Sequence, residues 1–248
     1  MDIEKPKPLT SSIPSINSTL GKNKLERFAE NKTFEHFFQP SFDDLMSGFS
    51  LKGKWHADFF GNNNPIILEL GCGKGEYTVS LATKYPGANF IGLDKKGARL
   101  WRGGKTSKEN QMNNVAFVRT HIEQIEHLFS AEEVSEIWIT FPEPQPRNSK
   151  AKKRFTSPQY IERFRKIMKP AGIIHLKTDS DLFYDYTLEV IQEDGHELVY
   201  SNSDLYSNTE DHRIKDVIAV QTFYEKMWLA EGFKIKYLEF RLASPEMA

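Results

Sequence analysis

Two stretches of this chain carry residue types at a spacing that suits chemistry. The first is LELGCGKGEY, in which Gly71, Gly73 and Gly75 directly follow an apolar run and Glu69 stands two residues ahead of them. Glycines at a strand-to-helix junction leave the backbone open to close approach by a nucleotide-like ligand. About twenty residues further on, Asp94 closes NFIGLD, where a carboxylate can take both hydroxyls of a ribose. The spacing is G-x-G-x-G rather than the G-x-G-x-x-G of a dinucleotide site, and a negative Glu69 would oppose a pyrophosphate. It suits a ligand that carries an ammonium and a sulfonium. Cys72, inside the loop, reads as a small packing residue rather than a nucleophile.

The second stretch is ITFPEPQPRNSKAKKR, residues 139–154. Its one carboxylate, Glu143, lies between Pro142 and Pro144, whose rings restrict the backbone on either side of the acid. Five basic residues follow without an acid among them: Arg147, Lys150, Lys152, Lys153 and Arg154. The net charge of the whole chain is −1, which excludes a globally basic nucleic-acid coat, so a polyanion site has to come from local clustering of this kind. A solvated loop is the plainer reading of the same run.

The elements around these stretches say how they are positioned. From Pro65 onward, strand-length apolar runs alternate with helical patterns: IILEL, EYTVSLATKY, NFIGLD, AFVRT, EIWITF, a helix over 157–168, GIIHLKT and a helix over 181–192. Such a βαβ series implies an α/β fold with a largely parallel sheet covered on both faces. The glycine loop and FPEP then both lie at strand ends. KIKYLEFRL alternates as a late strand would, at a sheet edge. Residues 1–32 lack apolar periodicity and read as a flexible arm, with 33–248 as a single catalytic domain. The 248-residue chain has a single cysteine, which excludes an intramolecular disulfide and a multi-thiolate metal site, and no cluster has metal-ligand spacing. No metal is expected. The N-terminus lacks the apolar core of a signal peptide and no run approaches a membrane span, so the expectation is a cytoplasmic protein without membrane attachment.

E-L-G-C-G-K-G followed by I-G-L-D resembles the cofactor site of class I S-adenosylmethionine-dependent methyltransferases, which implies a Rossmann-like fold with a mostly parallel seven-stranded sheet. F-P-x-P-x-P with its basic run and R-F-T-S-P-Q-Y, then H-L-K-T-D and T-F-Y-E, resemble the tRNA (guanine-N7)-methyltransferase family in the same order along the chain, over about residues 68–226. That resemblance implies S-adenosylmethionine held by Glu69, Gly71, Gly73, Gly75, Asp94, His121 and Glu143, with Glu143 also the catalytic residue. It implies tRNA as partner, met by Arg147, Lys150, Lys152, Lys153, Arg154, Asp179, Thr222 and Glu225; no obligate protein partner is evident. Three positions depart from the family. Glu143 and His121 stand where Asp is usual, and Gln145 stands where Trp is usual, which removes a stacking surface for a base. Two other readings stay open from sequence: a methyltransferase of the same fold acting on another substrate, and a non-enzymatic RNA-binding protein with a vestigial cofactor pocket.

Overall fold

The computed structural model describes residues 16–207 and 209–243. In chain order the elements are α1 (Ile16–Asn31), β1 (Phe37–Phe38), α2 (Phe42–Gly48), a π-helical turn (Trp55–Phe60), β2 (Ile66–Leu70), α3 (Glu76–Lys84), β3 (Asn89–Asp94), α4 (Gly97–Glu109) and β4 (Val115–Arg119). They continue with α5 (Ile125–Leu128), β5 (Val134–Thr140), a 3₁₀ turn (Asn148–Lys153), α6 (Pro158–Arg165), β6 (Met168–Thr178), α7 (Asp181–Glu193), β7 (Glu197–Asn202), α8 (Lys215–Ala219), α9 (Phe223–Ala230) and β8 (Lys236–Arg241).

The strands form one sheet in the order β1-β4-β3-β2-β5-β6-β8-β7, parallel except where β8 pairs with β6 and β7. The central strands are apolar on both sides, as a sheet covered on both faces requires. Leu68, Leu70, Ile137, Ile139 and Ile174 pack with Tyr160, Phe164 and Phe183 of α6 and α7, while Ile67, Phe90 and Trp138 pack with Tyr77, Leu81 and Leu100 of α3 and α4. The chain adds β3 and β4 on one side of β2 and then crosses to β5 on the other. The crevice at the carboxyl ends of β2 and β5 is therefore the switch point of the sheet, where a ligand enters an open α/β fold.

The structure departs from the sequence expectations in three places. There are eight strands among the described residues rather than seven, because the two-residue β1 pairs with β4, a segment too short to show alternation. KIKYLEFRL is not an edge: β8 lies between β6 and β7, and β7 closes the sheet. Within the expected arm, residues 16–31 are helical, and the end of α1 is docked on α4. Asn31 donates to the Gly97 carbonyl at 2.9 Å, Trp101 Nε1 donates to Glu30 at 2.6 Å, and the Arg27 guanidinium lies 4.6 Å from the Trp101 ring. These polar and cation–π contacts carry no apolar period, so periodicity could not show them. Residues 1–15 of that arm lie outside the described residues. No helix among the described residues is long and apolar enough to cross a membrane.

The C-terminal helices are tied to the sheet by one buried ion pair. Lys177, near the end of β6, and Glu225 of α9 are both fully buried, with Nζ 2.7 Å from Oε1. The other two ammonium donors go to the carbonyls of Val217 at 2.9 Å and Val220 at 3.1 Å. Burial lowers the Lys177 pKa while Glu225 pulls it back up. Lys177→Met strands a buried carboxylate and is expected to cost about 3–5 kcal/mol in urea unfolding. Adding Glu225→Met should recover most of that loss; a single variant as stable as the parent would show that Glu225 finds another partner.

Candidate active site

At the switch point lies a cleft of about 520 Å³. It brings together Glu69, Gly71, Gly73, Asp94, His121 and Glu143, and Lys150, Lys153 and Thr222 stand on its wall as well. The glycine loop is laid against β3, with the Gly71 and Cys72 amides both donating to the Leu93 carbonyl at 2.8 and 3.1 Å. Two of its glycines serve different ends. Gly73, at φ +57°, would point a Cβ into open space in the cleft, which keeps that space for a ligand. Gly75, at φ +69°, would place a Cβ 2.5 Å from the Phe117 ring, so it is required by packing at the mouth of α3 rather than by the cleft. Asp94 accepts from the Gly73 amide at 3.0 Å and from the Lys96 amide at 2.7 Å. Its carboxylate is thereby held at the end of β3. The Cys72 thiol is buried, and burial pushes its pKa well up, which keeps it protonated and unreactive.

Glu69 is 4 % exposed. Its Oε1 accepts from Thr140 Oγ1 at 2.6 Å, and its Oε2 accepts from the Thr78 amide at 2.8 Å and from the Thr78 hydroxyl. Burial pushes its pKa up to about 7, with the three hydrogen bonds pulling the other way. An acid in this state, on the cleft floor, gains from a cation placed beside it.

The FPEP loop leaves β5 under backbone strain. Phe141 and Gln145 both sit at φ +47°, a left-handed conformation that is rare for a bulky side chain and rarer still before proline. Three hydrogen bonds hold it there. The Phe141 amide donates to the Lys177 carbonyl at 2.8 Å, and Arg154 donates to the carbonyls of Pro144 at 3.3 Å and Gln145 at 3.1 Å. Glu143 is exposed on the cleft wall, with Gln145 Nε2 donating to it at 3.2 Å.

The structure reassigns part of the expected RNA-facing set. Lys150 and Lys153 stand on the cleft wall, while Arg147, just ahead of the same 3₁₀ turn, and Lys152 within it are exposed and do not line it. Arg154 is buried at 4 % exposure, with its guanidinium 4.3 Å from the Tyr186 ring, so it clamps the loop and does not face phosphate. Glu225 is buried too, spent on Lys177, on the Tyr206 hydroxyl at 2.6 Å and on the Thr222 amide that it caps. Asp179 is half-buried and off the cleft wall; its carbonyl accepts from Lys236 Nζ at 3.1 Å. A sequence reads charge and order, but not which side chains the fold turns inward. Sequence reasoning passed over Thr78 and Thr140, which hold Glu69, and Lys177, whose signal was a lysine inside the apolar strand GIIHLKT. It also passed over Lys95, Lys96 and Arg99, which add a second basic arc to the cleft wall.

The model of the family Methyltransf_4, described as "Putative methyltransferase", matches residues 63–238. This chain belongs to that methyltransferase family. A relative in Christiangramia forsetii, named tRNA (guanine-N(7)-)-methyltransferase, is 51% identical over 222 residues, covering 89% of this chain and 98% of its own. Among solved structures, the 16S rRNA methyltransferase KamB superposes with a TM-score of 0.58 at 12% identity, over 77% of this chain and 92% of that one. A 16S rRNA (adenine(1408)-N(1))-methyltransferase from Catenulisporales acidiphilia, solved with cosubstrate SAM, gives 0.54 at 11%, over 79% and 93%. These two likenesses speak for the fold alone. The residues of the cleft fit the S-adenosylmethionine that the sequence resemblance implies as cofactor. The open space in front of Gly73 would admit such a ligand, Asp94 at the end of β3 could accept from ribose hydroxyls, and the buried Glu69, held by hydroxyls and an amide, would gain from a cation beside it.

Two outcomes follow from this methyltransferase's geometry. Glu69 has a folded pKa above its usual value, so the apo protein binds a proton there below about pH 7 that a cationic ligand must displace. Cofactor affinity should rise with pH and level off above 7, being about tenfold weaker at pH 6 than at pH 7.5 by calorimetry. Glu69→Gln should flatten that dependence, and a parent curve that is already flat would remove Glu69 from the cofactor's charge balance. Arg154→Ala should cost about 2 kcal/mol of stability through the lost bonds of a buried guanidinium to the carbonyls of Pro144 and Gln145. Urea unfolding checks this, and a variant as stable as the parent would show that Arg154 does not clamp the loop.

Proposed function

We propose that this chain transfers the methyl group of S-adenosylmethionine to N7 of a guanine in the variable loop of tRNA, in the cytoplasm. The observation that carries this reading is the placement of Glu143. It is an exposed carboxylate on the wall of the same cleft as the glycine loop and Asp94, flanked by Lys150 and Lys153. The name of the 51% identical relative supports the acceptor and the position on it.

The bound cofactor supplies an electrophilic methyl on a sulfonium. Guanine N7 has an in-plane lone pair and no proton, so the chain needs no general base and must instead hold the purine in line. A guanine edge that bears N–H donors suits a carboxylate acceptor, and Glu143 is an exposed acid on the wall of the cleft. As positive charge grows on the purine, the Glu143 carboxylate also stabilises it. With Glu225 buried on Lys177 and Asp179 off the cleft wall, that work falls on Glu143 alone among the three acids. Lys150 and Lys153 meet phosphates of the RNA, which sets affinity and its salt dependence. The Gly71 and Cys72 amides lock the loop, and the strained FPEP backbone fixes where Glu143 points.

The test is transfer of labelled methyl from S-adenosylmethionine to bulk tRNA, followed by nucleoside analysis for 7-methylguanosine. Glu143→Gln should bind cofactor and tRNA nearly as the parent does, while turnover falls by about a hundredfold, of the order lost with one electrostatic contact to a transition state. Glu143→Asp should recover only part of the rate. A fully active Gln variant would show that N7 attack needs no charge at this position.

A further inference from the structure

Gln145 provides no aromatic face on the FPEP side of the cleft, yet a base drawn out of an RNA stack is ordinarily received by one. Besides His121, which follows β4 on the Asp94 side, four aromatic residues line the cleft: Phe141, Phe155, Tyr160 and Tyr224. Three of them are committed to packing. Tyr160 is buried in the core of α6, Phe155 is half-buried with its ring edge-on to Tyr160 at 5.2 Å, and Phe141 is half-buried against the core beneath the loop. Tyr224 is 42 % exposed, and its hydroxyl has no hydrogen-bond partner among the described residues.

The backbone beneath Tyr224 is tied down by hydrogen bonds, while its ring keeps an exposed face. Thr222 caps α9 by accepting from the Glu225 amide at 3.2 Å, and Glu225 returns a bond to the Thr222 amide. Glu225 itself is anchored on Lys177. The next amide, that of Phe223, donates to Glu76 Oε2 at 3.0 Å, and the Phe223 ring stands edge-on to Tyr224 with 5.7 Å between centroids. Lys74 Nζ lies 4.7 Å from the Phe223 ring. Phe223 is thus held as a buttress off the cleft wall, and Tyr224 is left facing into it.

We propose that Tyr224 is the stacking face for the acceptor purine, opposite Glu143, so that the T-F-Y-E element contacts RNA through its aromatic residue while its acid serves only to anchor it. This rests on the reading of the chain as a guanine-N7 methyltransferase. A phenol ring suits the reaction as well as the base: methylation leaves the purine cationic, and an electron-rich face attracts the charge as it forms. Stacking therefore strengthens on the way to product, and removing it lowers rate as well as affinity.

The experiment compares Tyr224→Ala, Leu, Phe and Trp in the full chain, with unmodified tRNA transcript as substrate and cofactor affinity as the control for folding. Stacking on an aromatic contributes about 1–3 kcal/mol per base. The Ala and Leu variants should each lose about tenfold or more in kcat/KM for tRNA, a loss of about 1.4 kcal/mol at tenfold. The Phe and Trp variants should stay within about threefold of the parent, with cofactor affinity unchanged in all four; an ordinary apolar contact would instead be kept by Leu. Parental kinetics in the Ala variant, or a Phe variant as impaired as Ala, would overturn the proposal. A parent that forms no 7-methylguanosine would overturn the functional reading itself, and the stacking role with it.

Discussion

Lys177 holds the two walls of the cleft in one frame. Its carbonyl accepts the amide of Phe141, where FPEP begins, and its ammonium holds Glu225 and the carbonyls of Val217 and Val220, behind the start of α9. A charge this deep is tolerated only when each donor has a partner, and here all three do. Such a pair contributes less to net stability than apolar residues of the same shape could, so what it supplies is geometry. An apolar contact would let these helices slide, whereas the directed bonds of one ammonium, one to α9 and two to the end of α8, fix their distance from β6. Thr222, Tyr224 and Glu143 are thereby referred to a single atom group in the sheet.

The charges in the cleft are layered. On the floor, Glu69 and Asp94 are held by hydroxyls and amides rather than by cations, which leaves their charge available to a positive ligand. At the rim, Lys95, Lys96 and Arg99 on one side and Lys150 and Lys153 on the other favour a polyanion. A cationic cofactor below and an anionic acceptor above can then bind together, each reducing the repulsion that the other's site would feel alone. The near-neutral net charge of the chain conceals this arrangement, because a sum of charges does not record where they stand.

What the sequence made legible was whatever depends on local spacing. The runs 66–70 and 89–94 are strands as read, and the glycine loop, Asp94 and Glu143 share one cleft, because strand ends and tight turns impose their residue types locally. What it hid depends on long-range burial. Arg154 closes a run of cations and looks like the rest, but the Tyr186 ring and two loop carbonyls take it inward. Glu225 looks like a third surface acid, and only a lysine 48 positions earlier in the chain reveals it as half of a buried pair. The end of α1 was unreadable for a related reason: its docking uses an asparagine, a glutamate and an arginine, residue types that carry no period.

The clamp by Arg154 also accounts for the strain in FPEP. Two left-handed non-glycine residues in one loop, each costing on the order of 1–3 kcal/mol, persist only if their surroundings over-determine them. Prolines at 142, 144 and 146 remove alternatives by fixing φ, but each also removes an amide that could have anchored the loop. Anchoring then has to come through carbonyls, and a planar guanidinium can reach two successive ones at once. Arg154 does so at Pro144 and Gln145 while its face rests on Tyr186. A lysine there would offer a single point of charge without a face to stack. The loop's prolines and its arginine are thus one device: the first makes the backbone stiff, and the second decides where the stiff segment, and with it Glu143, is held.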